Sequence, residues 1–305
     1  MISVLAVVGP TASGKTAIGI ELAERLRTEI ISADSMQVYR GMDIGTAAPT
    51  PEERARVKHH FTGFLEPGQT FSAGQFEREA RRIVGTLNEQ GKPAVVVGGS
   101  GLYIRALIDG LFEGPGRDDA IRARLHEEAQ RVGVPVLFGR LCEADPEYAS
   151  RIHPGDFRRI VRALEVRELT GIPLSEHFRI QKGAGSALAA VQIMPDWARG
   201  RLYERINRRV DRMIESGFIE EVKALLDAGF EGPLLQLRSL GYREFIAHLR
   251  GALTLEQAVD AMKMNTRRFA KRQLTWFGGD KRIHRIALSE KFDPRTIAEQ
   301  VLTLL

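Results

Sequence analysis

The chain has 305 residues, 43% hydrophobic and 27% charged, which suits a globular fold with a full core and room for two domains. No apolar run approaches the ~18 residues of a membrane span, and the single cysteine, Cys142, excludes an intramolecular disulfide and a cysteine-rich zinc site. A net charge of +5 favours an anionic partner.

The first ten residues lack a basic leader and a cleavage site, so no export signal is expected and a cytoplasmic location is the default. The apolar stretch Val4–Val8 predicts a buried strand. It runs into Gly9-Pro10-Thr11-Ala12-Ser13-Gly14-Lys15-Thr16, which fits G-x-x-x-x-G-K-[ST] at every fixed position. Gly9 and Gly14 let the backbone curl without β-carbon clashes. The turn then gathers several N–H groups in one concavity, and the following helix adds its positive end. Lys15 adds a point charge, and the Thr16 hydroxyl can ligate Mg²⁺. Such a site takes a diphosphate or triphosphate; the motif does not say which compound.

Ile18, Leu22, Ala23 and Leu26 have helical spacing, and 29–33 reads as a short second strand ending at Asp34. Segments 51–57 and 72–88 read as helices; in the second, Phe76, Ala80, Ile83, Val84 and Leu87 form the stripe and Ser72 is the N-cap. Residues 93–97 form a wholly apolar strand, as a sheet buried on both faces requires. Gly98-Gly99-Ser100-Gly101 and a helix over 102–108 follow. Strands alternating with helices imply an α/β fold, a P-loop NTPase-like parallel sheet flanked by helices. Beyond Gly114-Pro115-Gly116 the pattern changes, and 118–177 reads as helices broken by loops such as His153-Pro154-Gly155. Residues 182–186 read as a flexible linker and 191–194 as a returning strand. The expected domains are therefore a core of 1–116 and 189–305, carrying the C-terminal helices, and a helical insertion of 117–188. Helices are expected over 201–216, 219–228, 242–250, 255–277 and 294–304.

In open α/β sheets, ligands bind outside the carboxyl ends of the strands. The phosphate loop, Asp34-Ser35 and Gly98-Gly99-Ser100 are three such ends. The most apolar strand ends without the carboxylate that holds Mg²⁺ in ATPases, which leaves Asp34 as a metal ligand, a general base or a turn residue. Ser100, between two glycines, allows close approach of a substrate or caps the next helix. His59-His60 resembles a metal pair, but adjacent residues converge poorly on one ion, so a structural or RNA-facing role is expected. Trp276 and Tyr242 suit base stacking or the core. Arginines cluster at 199–212 (Arg199, Arg201, Arg205, Arg208, Arg209, Arg212), at Arg158, Arg159 and Arg162, and at Arg267, Arg268, Lys271 and Arg272. Each cluster alone is equally a solvated helix face; three of them beside a phosphate loop favour nucleic acid.

Together these motifs resemble the tRNA dimethylallyltransferases, also called tRNA isopentenyltransferases. The likeness rests on the phosphate loop and on Asp34-Ser-Met-Gln-Val-Tyr-Arg-Gly-Met-Asp-Ile-Gly-Thr46. It extends through Gly98-Gly-Ser-Gly-Leu-Tyr103, His153-Pro-Gly-Asp156 and Arg162-Ala-Leu-Glu-Val166. Leu240-Gly-Tyr-Arg243 and Ala270-Lys-Arg-Gln-Leu-Thr-Trp276 complete it, nearly spanning the chain. The resemblance implies transfer of a dimethylallyl group from dimethylallyl diphosphate to N6 of adenosine 37 in tRNAs reading codons that begin with U. It implies release of diphosphate with help from Mg²⁺, and a P-loop core with a channel through it.

By the same resemblance, the loop amides with Lys15, Arg209 and Mg²⁺ near Thr16 stabilise the departing diphosphate, and Asp34 accepts the proton of the attacking amine. Ser100 stands where threonine is usual. The flipped adenine meets Asp34, Ser35, Met36 and Gln37, with Ser100 beside it. The implied tRNA anticodon stem-loop contacts are Arg122; Arg158, Arg159, Ile160, Val161 and Arg162; Arg238, Ser239, Leu240, Gly241, Tyr242 and Arg243; and Lys271, Arg272, Gln273, Thr275 and Trp276. Ala48, Gly63 and Gly155 replace a common lysine, aspartate and asparagine. A monomer without membrane attachment is expected. The runner-up is a P-loop small-molecule or nucleotide kinase, which explains Lys15 and Thr16 but not the arginines.

Overall fold

The computed structural model describes residues 2–112, 114–183 and 187–304. The described residues form two compact units, Gly110–Ala187 and the remainder, Met1–Asp109 with Leu188–Leu305. The second unit thus begins at Gly110, ahead of the 117 read from composition, because the chain leaves the helix Gly101–Asp109 directly. Of the linker expected over 182–186, residues 184–186 lie outside the described residues.

The larger unit is built on six strands: β1 (Val4–Val8), β2 (Ile30–Ser32), β3 (His59–His60), β4 (Ala94–Gly98), β5 (Ala190–Trp197) and β6 (Ile283–Leu288). They form one sheet in the order β3-β2-β4-β1-β5-β6, and every pairing is parallel. β1 and β4 are buried at every position, so one face rests on Phe76, Ala80 and Leu107, and the other on Ile18, Leu22 and Val301. That double burial is why both sequences are unbroken apolar runs. Ser72 caps the helix Ala73–Glu89, accepting from Gln75 N at 3.2 Å, and its buried stripe is Phe76, Ala80, Val84 and Leu87.

β2, β4 and β1 are neighbours, so their carboxyl ends lie side by side. The approach is closest between β2 and β4: Ala33 N donates to Val97 O at 2.8 Å, and Ser100 N donates to Ala33 O at 3.1 Å. A β-carbon on Gly98 would stand 2.1 Å from Ala33 O. Glycine is required there for space. The helices Arg199–Glu215, Phe218–Asp227, Tyr242–Leu249 and Leu255–Gly278 pack beside this edge around Phe218, Tyr242 and Phe245.

Among the described residues the second unit's regular elements are helices, and it centres on Leu125, Leu137, Leu141, Ile160 and Leu164. Its helices Asp119–Val132 and Phe157–Thr170 are joined through Glu165, which is fully buried. Glu165 accepts from Arg122 Nε and Nη2 at 2.7 and 2.8 Å, from Arg162 Nη1 at 2.7 Å and from Asp118 N at 2.9 Å. Burial pushes its carboxyl up, but the two guanidinium groups and the amide overcome this and bring its pKa down to about 2.

The backbone crowding at Gly98 yields a stability prediction. Gly98→Ala lowers unfolding stability by about 2–3 kcal/mol, because no side chain can move aside to accommodate the methyl group. Urea denaturation checks this; an unchanged midpoint would mean that the two strand ends are free to separate.

Candidate active site

The phosphate loop closes as its glycines require. Gly9 (φ 128°) and Gly14 (φ 95°) lie at positive φ, and Ala12 joins them at 63°. Gly14 is the N-cap of the helix Lys15–Arg25 and offers no side chain to its first amides, which remain available to an anion. Lys15 reaches back over the loop, its Nζ donating to Pro10 O at 2.6 Å. Removal from water, reinforced by nearby Arg209, lowers the Lys15 pKa to about 7, while Asp34 pulls the other way. Arg209 donates through Nη1 to Thr11 Oγ1 at 3.3 Å, and its own pKa is lowered, chiefly by burial. Two cations held partly out of water, neither of them in a salt bridge among the described residues, suit a polyanion.

A cavity of about 310 Å³ opens beside this loop. Thr11, Lys15, Thr16 and Arg209 line it together with Asp34, Ser35, Met36, Gln37 and Ser100. Asp34 Oδ1 accepts from Met36 N at 2.9 Å, so the carboxylate both shapes a turn and faces the cavity. The Ser100 hydroxyl accepts from Ser35 N at 2.9 Å and donates to Ser35 Oγ at 3.2 Å, which ties the end of β4 to the residue after Asp34. Gln37 bonds Ser32 Oγ through Oε1 at 2.8 Å and Ala47 O through Nε2 at 3.1 Å. Arg238, Ser239, Leu240, Arg272 and Gln273 complete one wall, with apolar surface from Ile206, Val210, Met213 and Phe269.

Other residues implied in RNA contact fall into three groups. Lys271, Arg272, Thr275, Trp276, Arg238, Arg243, Arg158 and Arg159 are exposed. Ile160, Val161, Gly241 and Tyr242 are buried; Tyr242 donates its hydroxyl to Glu221 at 2.7 Å and packs on Phe218. Arg122 and Arg162 serve Glu165. Gln273 is also buried, and its side chain accepts from Thr11 N at 2.9 Å and donates to Gly99 O at 3.0 Å, bracing the phosphate loop against the β4 turn. His60 Nε2 pairs with Glu29 at 2.5 Å and His59 Nδ1 with Val57 O at 2.8 Å; among the described residues no three His, Cys, Asp or Glu side chains are placed to hold a metal.

Sequence reading passed over Glu221, which accepts from Ile44 N and Gly45 N at 2.7 and 3.0 Å and so anchors the segment after Asp34. It also passed over Met213 and Val210. Their signal was present, since Ile206, Arg209, Val210 and Met213 share one helical face.

The model of the family described as IPP transferase matches residues 37–281, most of the chain and most of this cavity's wall. The chain belongs to the IPP transferase family. Its relatives in that family include the tRNA dimethylallyltransferase of Geobacter metallireducens, 48% identical over 93% of this chain and 92% of that one. Geotalea uraniireducens has a tRNA dimethylallyltransferase 2 that is 48% identical over 99% and 96%. Among solved structures, the tRNA isopentenylpyrophosphate transferase of Bacillus halodurans aligns with a TM-score of 0.69 at 39% identity, covering 98% of this chain and 95% of that one. A eukaryotic dimethylallyltransferase acting on tRNA aligns with a TM-score of 0.78 at 26% identity, covering 98% and 77%.

The lowered pKa of Lys15 gives a prediction with a definite sign. Lys15 is half charged near pH 7 and loses its charge as the pH rises above that, whereas a bound polyanion favours the charged form. Binding of inorganic pyrophosphate at pH 8.5 therefore takes up on the order of one more proton in the native chain than in Lys15→Met, the ligand's own ionisation being common to both. Calorimetry in buffers of different ionisation enthalpy checks it; the same proton exchange in the native chain and in Lys15→Met would contradict it.

Proposed function

We propose that this chain transfers a dimethylallyl group from dimethylallyl diphosphate to N6 of adenosine 37 in tRNAs that read codons beginning with U. Prenylation of tRNA is the activity; the nucleotide, the tRNA set and the exact donor are the finer parts of this reading. One observation carries it: the phosphate cradle and the Asp34 carboxylate line the same cavity, whose wall includes Arg238 and Arg272. The kinase reading is not favoured, since the family membership and the arginine-bearing wall both go unexplained by it.

The residues divide the work as follows. The adenosine leaves its stack and enters the cavity. Asp34 takes a proton from the N6 amine as nitrogen attacks the allylic carbon and the carbon–oxygen bond to the diphosphate breaks. Lys15, Arg209 and the loop amides meet the charge that grows on the departing oxygens. The apolar side chains Ile206, Val210 and Met213 suit the hydrocarbon and keep water from the allylic carbon. Ser100 and Gln273 hold the two turns in register.

Mg²⁺ belongs to the same reading, and the donor set suits it. The Thr16 hydroxyl lines the cavity at the cradle, and Ser13 Oγ is buried without a hydrogen-bond partner among the described residues. With no group of three His, Cys, Asp or Glu side chains placed to hold a metal among the described residues, the ion would be held by Thr16, water and the substrate's phosphates, an arrangement Mg²⁺ favours. When bound it supplies charge neutralisation on the leaving group. Among the described residues no helix is long and apolar enough to cross a membrane; a cytoplasmic monomer acting on the anticodon stem-loop completes the proposal.

The deciding assay supplies unmodified tRNA, Mg²⁺ and either dimethylallyl diphosphate or ATP. Prenylated adenosine is expected with the first; phosphate release from ATP without prenylated adenosine would contradict the reading. Asp34→Asn lowers turnover on the order of 10²–10⁴-fold while tRNA affinity stays near normal, as measured by single-turnover kinetics and filter binding; near-normal turnover would remove Asp34 as the base. Replacing Lys271 and Arg272 by alanine weakens tRNA binding and lowers the salt slope by about one unit per lost phosphate contact. An unchanged slope would move the RNA surface elsewhere.

A further inference from the structure

The phosphate loop is also gripped from its carbonyl side, by residues with no part in the chemistry above. Trp197 Nε1 donates to Ser13 O at 3.0 Å, and Arg205 Nε donates to Ala12 O at 2.9 Å. The Arg205 guanidinium lies 4.4 Å from the centroid of the Trp197 ring and 5.7 Å from that of Phe292, within cation–π range of both. Phe292 meets Trp197 edge-on, with centroids 5.6 Å apart. Its ring stands 2.8 Å from the point where a β-carbon on Gly14 would lie. Ala12, at a φ of 63°, is in the left-handed region that a β-carbon resists, so the loop does not hold this path by local preference alone.

We propose that Trp197, Arg205 and Phe292 are positioning residues that fix the direction of two phosphate-loop amides. The C=O and N–H of a trans peptide point in opposite directions. A donor holding Ala12 O therefore sets the direction of Ser13 N–H, and a donor holding Ser13 O sets that of Gly14 N–H. Both amides are thereby turned away from the carbonyl side that Trp197 and Arg205 hold. Phe292 closes the space into which the loop would relax. Without these contacts the two peptides sample other orientations, and ordering them is charged against ligand binding. The inference rests on the diphosphate reading given above.

The test is calorimetric titration with inorganic pyrophosphate, joined to steady-state kinetics on the full chain. Trp197→Phe keeps a ring beneath Arg205 but deletes the indole donor; Arg205→Lys deletes the Nε donor but keeps the charge. Each weakens pyrophosphate roughly three- to tenfold and raises KM for dimethylallyl diphosphate by a like factor, leaving KM for tRNA unchanged. Phe292→Leu, which touches no polar partner, gives a smaller loss in the same direction and serves if an indole variant fails to fold. A wild-type chain that binds no pyrophosphate would overturn the diphosphate reading and this inference with it. Wild-type binding with all folded variants unchanged in affinity, whatever their thermal stability, would overturn the positioning role alone.

Discussion

The contact between the ends of β2 and β4 is the constraint on which the site depends. Ala33 and Gly98 are so close that neither backbone can shift without breaking the Ala33–Val97 and Ser100–Ala33 hydrogen bonds. That contact sets Ser100 against Ser35, and Ser35 follows Asp34 directly. With β1 on the other side of β4, the same geometry brings the phosphate loop to the third position around the cavity. A carboxylate and an anion receptor would otherwise repel diphosphate and attract it at unrelated places. Side by side, they suit the proposed reaction, in which an anion leaves as a proton is removed.

The long helix Leu255–Gly278 links this core to the exterior. One face carries exposed Lys271, Arg272, Thr275 and Trp276; the other sends Gln273 between Thr11 and Gly99. The β-carbon positions of Gly99 and Gly101 meet Gln273 Nε2 and Trp276 Nε1, each at 2.1 Å. The glycines of the β4 turn are therefore room for this helix as much as room for a substrate. A surface suited to polyanionic RNA and a brace for the phosphate loop are thus two faces of one helix.

Much of this was legible in the sequence because the signals are local. The phosphate loop, β1 and β4 are read from fixed spacing and unbroken apolar runs, and the helix Ala73–Glu89 from its stripe and its cap. β3 is only two residues long, and β6 carries exposed His284 and Arg285, so neither edge strand has a periodic signal. Side-chain assignments fared differently. Gln273 sits in a basic motif and reads as an RNA contact, yet its partner Thr11 is 262 residues away, so its bracing of the phosphate loop has no local signal. Ile160 and Val161 stand among exposed arginines but belong to the core of the second unit. Arg122, Arg162 and Glu165 are brought together only by the packing of two helices. Trp197, Arg205 and Phe292 converge on one loop from three separate elements, which no spacing rule anticipates.

The central claim is that one cavity holds the leaving diphosphate and the base that deprotonates the adenine amine. The most direct measurement is a crystal structure with inorganic pyrophosphate, Mg²⁺ and an anticodon stem-loop bound together. The account predicts pyrophosphate on the amides of residues 12–16, with the extruded adenine's N6 within hydrogen-bond distance of the Asp34 carboxylate. An adenine left stacked in its loop, or a pyrophosphate bound away from the amides with Asp34 facing neither ligand, would contradict it.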